Sequence, residues 1–488
     1  MKRKTPSPRP EKTVFIAVNM GFSARYLLRT DILHRLLEKR TRVVILTPNA
    51  EEPYFREEFE KQGAYVEKYE FEKCRDYYTS SRIQRFFRTV RWHTLPGISK
   101  ESILYARFKV FKKESRKTGW KGRIQYYFVA FVRALLLRSV FLRKAFLEME
   151  CHLFTGHLHR KLFERYQPSL LVTTSLGYFD YDQYLMREAK RHGVKVAAII
   201  LSWDNSSSKG LPAAKTDRVI AWSDFMKAEL MKYYEVPPKQ IFVGGIAHFD
   251  PYFHPEALLS REALFAKYGM DPRRKLIFFG TRSPNKYPWT GECIRLMAEA
   301  LEGDRSLVPC QLLVRLHPNH YQIRNGRLRY QNVLEEYEEI KKRYRWVFFN
   351  KPQIISDKLS CDMPTSEMIE VGSILRHADI MINYYSTLML EASIFDLPII
   401  NFVFHEYNIL LGRDSRYSLH FDHIRRILER KAEITVYTME DLIRAINEYL
   451  TSPEKDREGR KRVRQEECGP NQGRAGVAIA DYLLELMD

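Results

Sequence analysis

The chain has 488 residues, 45% apolar and 29% charged, and its 80 lysines and arginines outnumber 60 acids for a net charge of +20. That length exceeds what one hydrophobic core usually supports, and no low-complexity tract interrupts it, so two folded α/β domains are expected. The charge bears on partners and not on fold: it suits anionic lipid head groups, nucleotide phosphates or nucleic acid.

Residues 1–12, MKRKTPSPRPEK, form a basic, proline-containing tail expected to be disordered, and the apolar run after it, Val14 to Val18, is too short for a signal peptide. The cysteines (Cys74, Cys151, Cys293, Cys310, Cys361 and Cys468) show neither CxxC pairs nor zinc spacing. Scattered thiols of this kind are expected to be reduced, and the chain to be cytoplasmic. Thr13 to Val18 reads as a strand, Leu27 to Lys39 as a helix and Arg42 to Leu46 as a second strand, which is a βαβ unit.

A helical insertion is expected near 75–165. Its apolar stretch Ile124 to Leu142 contains Arg133 and Arg138, which are too costly for a bilayer core, at about 2.5–3.5 kcal/mol each. Between Arg107 and Lys144 stand twelve lysines and arginines and one acid, Glu114, interleaved with Phe108, Phe111, Trp120, Tyr126, Tyr127, Phe128 and Phe131. Such a mixture fits a helix adsorbed on an anionic membrane surface, or a solvated helix packed on the first domain with its aromatics as core. Arg82, Arg85, Arg88 and Arg91 recur every third residue and are expected to extend the same basic surface.

Strands follow at 169–174, 194–201, 218–222 and 241–243, and a second series at 275–279, 311–316, 346–349, 380–383 and 398–402, with amphipathic helices between them. Continuous apolar strands alternating with helices imply parallel sheets covered on both faces. The expected fold class is α/β, with two Rossmann-like, doubly wound domains facing a cleft. Domain one spans 13–255 on the acceptor side, a nucleotide-donor domain spans 270–470, and 471–488 form a closing helix. Ligands in such sheets sit beyond the carboxyl ends of the strands.

Three loops at those ends carry the chemistry. Gly280-Thr281-Arg282-Ser283 offers close backbone approach, two hydroxyls and a guanidinium fork, or is a plain turn. Arg315-Leu316-His317-Pro318 sets arginine and histidine on one face of a strand end, as an anion site would require. In Asn383-Tyr384-Tyr385-Ser386-Thr387, Ser386 or Thr387 falls at a helix N-cap, and Glu391 lies one turn in, within reach of ribose hydroxyls.

The order RLHP, ADIMINYYSTLMLEA, PIINF resembles the donor-binding domain of GT-B glycosyltransferases. It is most similar to a bacterial surface-polysaccharide branch that includes CDP-glycerol glycerophosphotransferases and CMP-sugar transferases. SWDNSSSKG, AWSDFMKAEL, VGGIAHFDPY and the terminal CGPNQGRAGVAIADYLLELM resemble the same group, whereas 50–165 resemble nothing known. The resemblance implies that His317, Ser386 and Thr387 contact the donor phosphate and that Glu391 holds the ribose.

Transfer to a hydroxyl needs a general base and charge stabilisation of the leaving phosphate. Arg282, Arg315, His317 and the helix end at Ser386 could supply the second without a metal, and no DxD motif stands at a strand end. Asp204 or Asp180 is the expected base; Asp204 and Asn205 could equally cap a turn. The expected function is glycosyl transfer from a nucleotide sugar to a lipid-linked or polysaccharide acceptor, at the inner face of the cytoplasmic membrane. No cofactor, no metal and no nucleic-acid partner is expected. Glycerophosphate transfer and sugar-nucleotide 2-epimerisation are the alternatives on the same architecture, and a non-catalytic nucleic-acid binder would not need these loops at matched strand ends.

Overall fold

The computed structural model describes residues 12–488 apart from 180, 286, 304–308, 325, 357–358, 360, 404–406, 409–412 and 415–418. The basic tail therefore lies outside the described residues, except for Lys12. Two lobes each carry an all-parallel sheet. In the first, β1 (Thr13–Ala17), β2 (Arg42–Thr47), β3 (Tyr65–Lys68), β4 (Leu170–Thr173), β5 (Lys195–Ile199), β6 (Arg218–Ala221) and β7 (Ile241–Val243) run in the order β3-β2-β1-β4-β5-β6-β7. In the second, β8 (Lys275–Gly280), β9 (Cys310–Arg315), β10 (Val347–Asn350), β11 (Ile380–Asn383), β12 (Ile399–Phe402) and β13 (Ile434–Val436) run β10-β9-β8-β11-β12-β13. Strand order reverses at β1/β4 and at β8/β11, so each lobe has a switch point where a crevice opens at the carboxyl ends.

The central strands are wholly buried, as TVFIA and LLVT must be when helices cover both faces. One apolar core continues from the first lobe into the second, joining Val14, Trp222 and Phe249 to Phe278, Met381 and Met389. The expected helix 27–39 is two helices, Gly21–Leu27 and Asp31–Glu38, because Thr30 turns out to cap the second and accepts a hydrogen bond from Ile32 N–H. The last helix, Ala475–Met487, returns to the first lobe, where the Asp250 carboxylate receives the N–H groups of Ala475 (2.9 Å) and Gly476 (2.8 Å).

Between β3 and β4 lie six helices spanning 71–166, with a small core of their own around Phe87, Val129, Leu136 and Phe146. A buried ion pair fastens them to the first lobe. Arg91 reaches Glu150 at 2.7 Å, and Glu150 also meets Arg187, of the helix Asp182–Arg191, at 2.9 Å. Arg91 is thus an internal strut and no part of an exposed basic surface.

The lobes also touch directly. Asp362 of the second lobe is fully buried against the first, held by Arg29 at 2.6 Å and by the Tyr54 hydroxyl at 2.7 Å. Gly21 presses against the backbone of Cys361 and Asp362 so closely that a Cβ there would overlap it.

Candidate functional site

Register brings the three loops together. Gly280 pairs with Arg315, and Phe279 with Ile382, so GTRS, RLHP and the segment after Asn383 emerge side by side. Across from them, the loop after β5 delivers Ser202, Trp203 and Asp204, and the helix Gly21–Leu27 after β1 delivers Phe22 and Arg25. The resulting cleft between the lobes has a volume of about 630 Å3, within the roughly 300–1,000 Å3 usual for small-molecule sites.

All the expected site residues except one line this cleft: Asp204, Gly280, Thr281, Arg282, Ser283, Arg315, His317, Ser386, Thr387 and Glu391. Asp180 lies outside the described residues. Gly280 leaves space that a side chain would fill, since a Cβ would collide with the Leu388 side chain.

Several of these groups are committed in ways that residue type alone does not reveal. The Thr281 hydroxyl donates to the Arg315 carbonyl (2.9 Å) and accepts from the His317 N–H (2.9 Å), so it fastens two loops together. Arg315 pairs with buried Glu367 at 2.5 Å and also donates to Asn350, so the guanidinium at the expected anion site is already engaged within the second lobe. Thr387 opens the helix Leu388–Ile394 with no side-chain cap; Ser386 Oγ donates to Asn383 Oδ1 at 2.9 Å and accepts from Leu388 N–H at 3.4 Å. Tyr385, just before them, adopts a left-handed φ of 52°, held by its N–H to Asn401 Oδ1 and by its carbonyl to Arg282 Nη2 (2.8 Å). Non-glycine residues persist in that conformation only where their surroundings enforce it.

His317 Nδ1 accepts from the Asn319 N–H at 3.1 Å, so its neutral ring carries the proton on Nε2. Glu391 is buried and accepts from the Tyr252 hydroxyl at 2.5 Å, which occupies one of its two oxygens. Burial pushes its carboxyl up, against the Tyr252 hydrogen bond and the positive charges of Arg25 and Arg315. Asp204 behaves in the opposite way. Burial opposes its charge, but His423, Lys209 and the hydroxyls of Ser202 (2.5 Å) and Ser208 (2.8 Å) outweigh that and hold the carboxyl at about 2. The carboxyl is thereby anchored as an anion near neutrality.

Two residues that reading the strand ends missed complete the cleft. Arg25 makes no ion pair or hydrogen bond among the described residues, its Nε is buried without a partner, and its guanidinium lies 4.8 Å from the Phe22 ring. Burial lowers its pKa and Arg315 adds to this, whereas the nearby charges of Glu391 and Glu367 oppose it without forming an ion pair. In the sequence Arg25 stands within the first helix after β1, and GFSARYL has neither the proline of RLHP nor the adjacent small hydroxyls of YYST. The second is His423, at the start of the helix Asp422–Glu429.

No family model matches the chain, and no curated protein does. Solved structures do. UDP-GlcNAc 2-epimerase from Methanocaldococcus jannaschii superposes with a TM-score of 0.52 at 13% identity, over 97% of this chain and 99% of that one. A putative UDP-N-acetylglucosamine 2-epimerase from Listeria monocytogenes gives 0.51 at 10%, covering 97% of each chain. The Neisseria meningitidis UDP-GlcNAc 2-epimerase, solved bound to UDP-GlcNAc, gives 0.51 at 11%, over 97% and 100%. The fold is the one these epimerases share. At such identities the likeness reaches the architecture, two doubly wound lobes about a cleft, and goes no further.

Proposed function

We propose that the chain is a nucleotide-sugar enzyme that transfers a sugar from a nucleotide-activated donor, held in the cleft, to a lipid-linked or polysaccharide acceptor. The observation that carries this reading is Arg25, a half-buried cation with no ion pair or hydrogen bond among the described residues, in a cleft of the right size whose opposite wall presents Arg282, His317 and Ser386. A cation in that state is stabilised by an anionic ligand, and a diphosphate between the two walls supplies one. Glu391 beside it is the acceptor for ribose hydroxyls.

Calorimetric titration with UDP, CDP, GDP and CMP tests the binding. One nucleotide is expected to bind, and failure of all four would sink the proposal. Sugar-nucleotide 2-epimerisation is the second reading, favoured by the fold itself; a third, glycerophosphate transfer, rests on the sequence resemblance. Nucleotide release that depends on an added glycan or lipid-linked acceptor supports transfer, whereas a change of the donor sugar with no acceptor present supports epimerisation. Because the donor loops carry no acidic pair, and Asp182 of Asp180-Tyr181-Asp182 is buried and engaged by Asn19 and Ser175, turnover is expected to survive EDTA.

The surface of the inserted helices favours transfer over epimerisation. The large apolar residues of 107–144 divide: Phe108, Phe111 and Tyr126 pack together beside His93, whereas Trp120, Ile124, Tyr127, Phe131 and Phe141 are 59–77% exposed. Residues 120, 124, 127 and 131 recur at helical spacing along one face of Gly119–Arg138. Three of the twelve cations turn inward: Arg107 to the Ser208 carbonyl, Arg133 to the His93 carbonyl and Arg143 to Glu235. Lys109, Lys113, Arg116, Lys117, Lys121, Arg123, Arg138 and Lys144 are exposed around the apolar face. An anionic membrane matches both features, at about 1 kcal/mol for each basic residue that reaches the lipid. Among the described residues no helix is long and apolar enough to cross a membrane, so attachment would be peripheral. Co-sedimentation with anionic vesicles at low salt, weakened by Phe131→Asp with Phe141→Asp and by high salt, is expected; equal binding to neutral vesicles would remove the lipid from this account.

A further inference from the structure

We propose that His423 is the group that takes up and returns the proton in this cleft, with Asp204 the fixed anion that stabilises its charged form. The inference rests on the reading of the cleft as a nucleotide-sugar site and assigns its acid–base chemistry. His423 belongs to the second lobe and Asp204 to the first, and both line the cleft. The imidazole stands edge-on to Trp203, the residue before Asp204, with ring centroids 5.0 Å apart and planes at 90°. Asp204 is held from behind by the Ser202 and Ser208 hydroxyls, so its charge stays in place. Among the described residues neither ring nitrogen of His423 has a hydrogen-bond partner.

Burial pushes the ring down to about 4; Asp204 opposes this, whereas Arg426, Arg282 and Arg107 add to it. His423 is therefore a neutral imidazole at pH 7 in the empty protein. Lys209, which acts on Asp204, is the remaining charge at this junction. A bound diphosphate adds negative charge to the same cleft and raises the ring's proton affinity when substrate is present. In transfer, the acceptor hydroxyl gives its proton to the imidazole as its oxygen bonds to the anomeric carbon. The anomeric carbon–oxygen bond to the nucleoside diphosphate breaks, the bonding pair leaves with the phosphate, and the imidazolium later loses its proton to water. Asp204 touches no reacting atom and is a positioning residue.

Two measurements on the full chain test this. In an NMR titration of 15N-labelled histidines, with the signal assigned by His423→Gln, Asp204→Asn is expected to lower the His423 pKa and UDP to raise it. A pKa that neither change moves overturns the pairing. In kinetics with a cognate donor, His423→Gln is expected to cut turnover by about 10²–10⁴-fold while UDP binding and melting temperature are retained. Asp204→Asn is expected to shift the pH profile. Undiminished turnover in His423→Gln overturns the assignment. Should the wild-type protein bind no nucleotide, the reading of the site falls, and the Asp204→Asn titration still decides the pair.

Discussion

Arg25 is where function and stability pull apart. An unpaired, half-buried guanidinium is a cost to the empty protein and, on the proposed reading, a gain to the loaded one. Arg25→Gln is expected to raise the melting temperature without ligand and to weaken nucleotide binding about tenfold to a hundredfold, the worth of a charge-assisted hydrogen bond. Melting curves with and without UDP read both effects; a variant less stable than wild type and equally ligand-responsive would show Arg25 to be structural. His93 illustrates a different residue-scale effect. Burial, and then Arg107, Arg133 and Arg88, push its pKa down to about 4, while Phe111 stacks on it at 5.1 Å. A base whose folded pKa is depressed binds fewer protons folded than unfolded between about 4 and 6.5, so it erodes stability as pH falls through that window. His93→Phe keeps the stacking and removes the titration, so the wild type should lose about 2 kcal/mol more than the variant between pH 7 and pH 5. Parallel melting curves at the two pH values would contradict it.

Elements were legible where apolar sequence alone builds them. Runs such as RVVILT and KLIFFG lie in buried parallel strands, and polar residues directly after a buried strand had to emerge at its carboxyl end, which is why the three second-lobe loops were readable. The strand Tyr65–Lys68 was not, because it lies at a sheet edge and buries only Val66 of its four residues. Nor was the helix Arg457–Glu467, whose sequence REGRKRVRQEE has Val463 as its only large apolar residue. That helix is held by a buried cation: Arg460, fully enclosed, reaches Asp396 at 2.8 Å and the carbonyls of Lys455 and Pro453. Gly459 beside it leaves no space for a Cβ against the backbone of Arg430 and Lys431. Gly459→Val should cost about 1–3 kcal/mol through overpacking, measurable as a lowered melting temperature. An unchanged melting temperature would mean that the helix is not pinned there. Arg25 and His423 escaped notice for a related reason: what marks them is an unpartnered state, which only the folded surroundings define.

At the scale of the whole molecule, the expected GT-B plan and the observed one agree in having two doubly wound sheets across a cleft. The plan was legible because alternating strands and helices allow few topologies. Less legible was the degree of contact between the lobes. One core crosses from lobe to lobe, and the chain returns at its end to pack Ala475–Met487 on the first, with Arg35 meeting Asp481 at 2.8 Å.

Asp362, gripped by Arg29 and Tyr54 and backed by Gly21, ties the two lobes together next to the cleft. Where a ligand enters only when two lobes part, its apparent affinity is its intrinsic affinity reduced by the fraction of molecules that stand open. Asp362→Asn weakens this tie at a residue that does not itself line the cleft, although Cys361 and Met363 on either side do. Stopped-flow mixing should therefore find faster nucleotide association, and departure should quicken as well. Unchanged rates in both directions would mean that nucleotide passes without the lobes parting. On the proposed reading the same tie would also lengthen the stay of a product, through a carboxylate that is not part of the cleft lining.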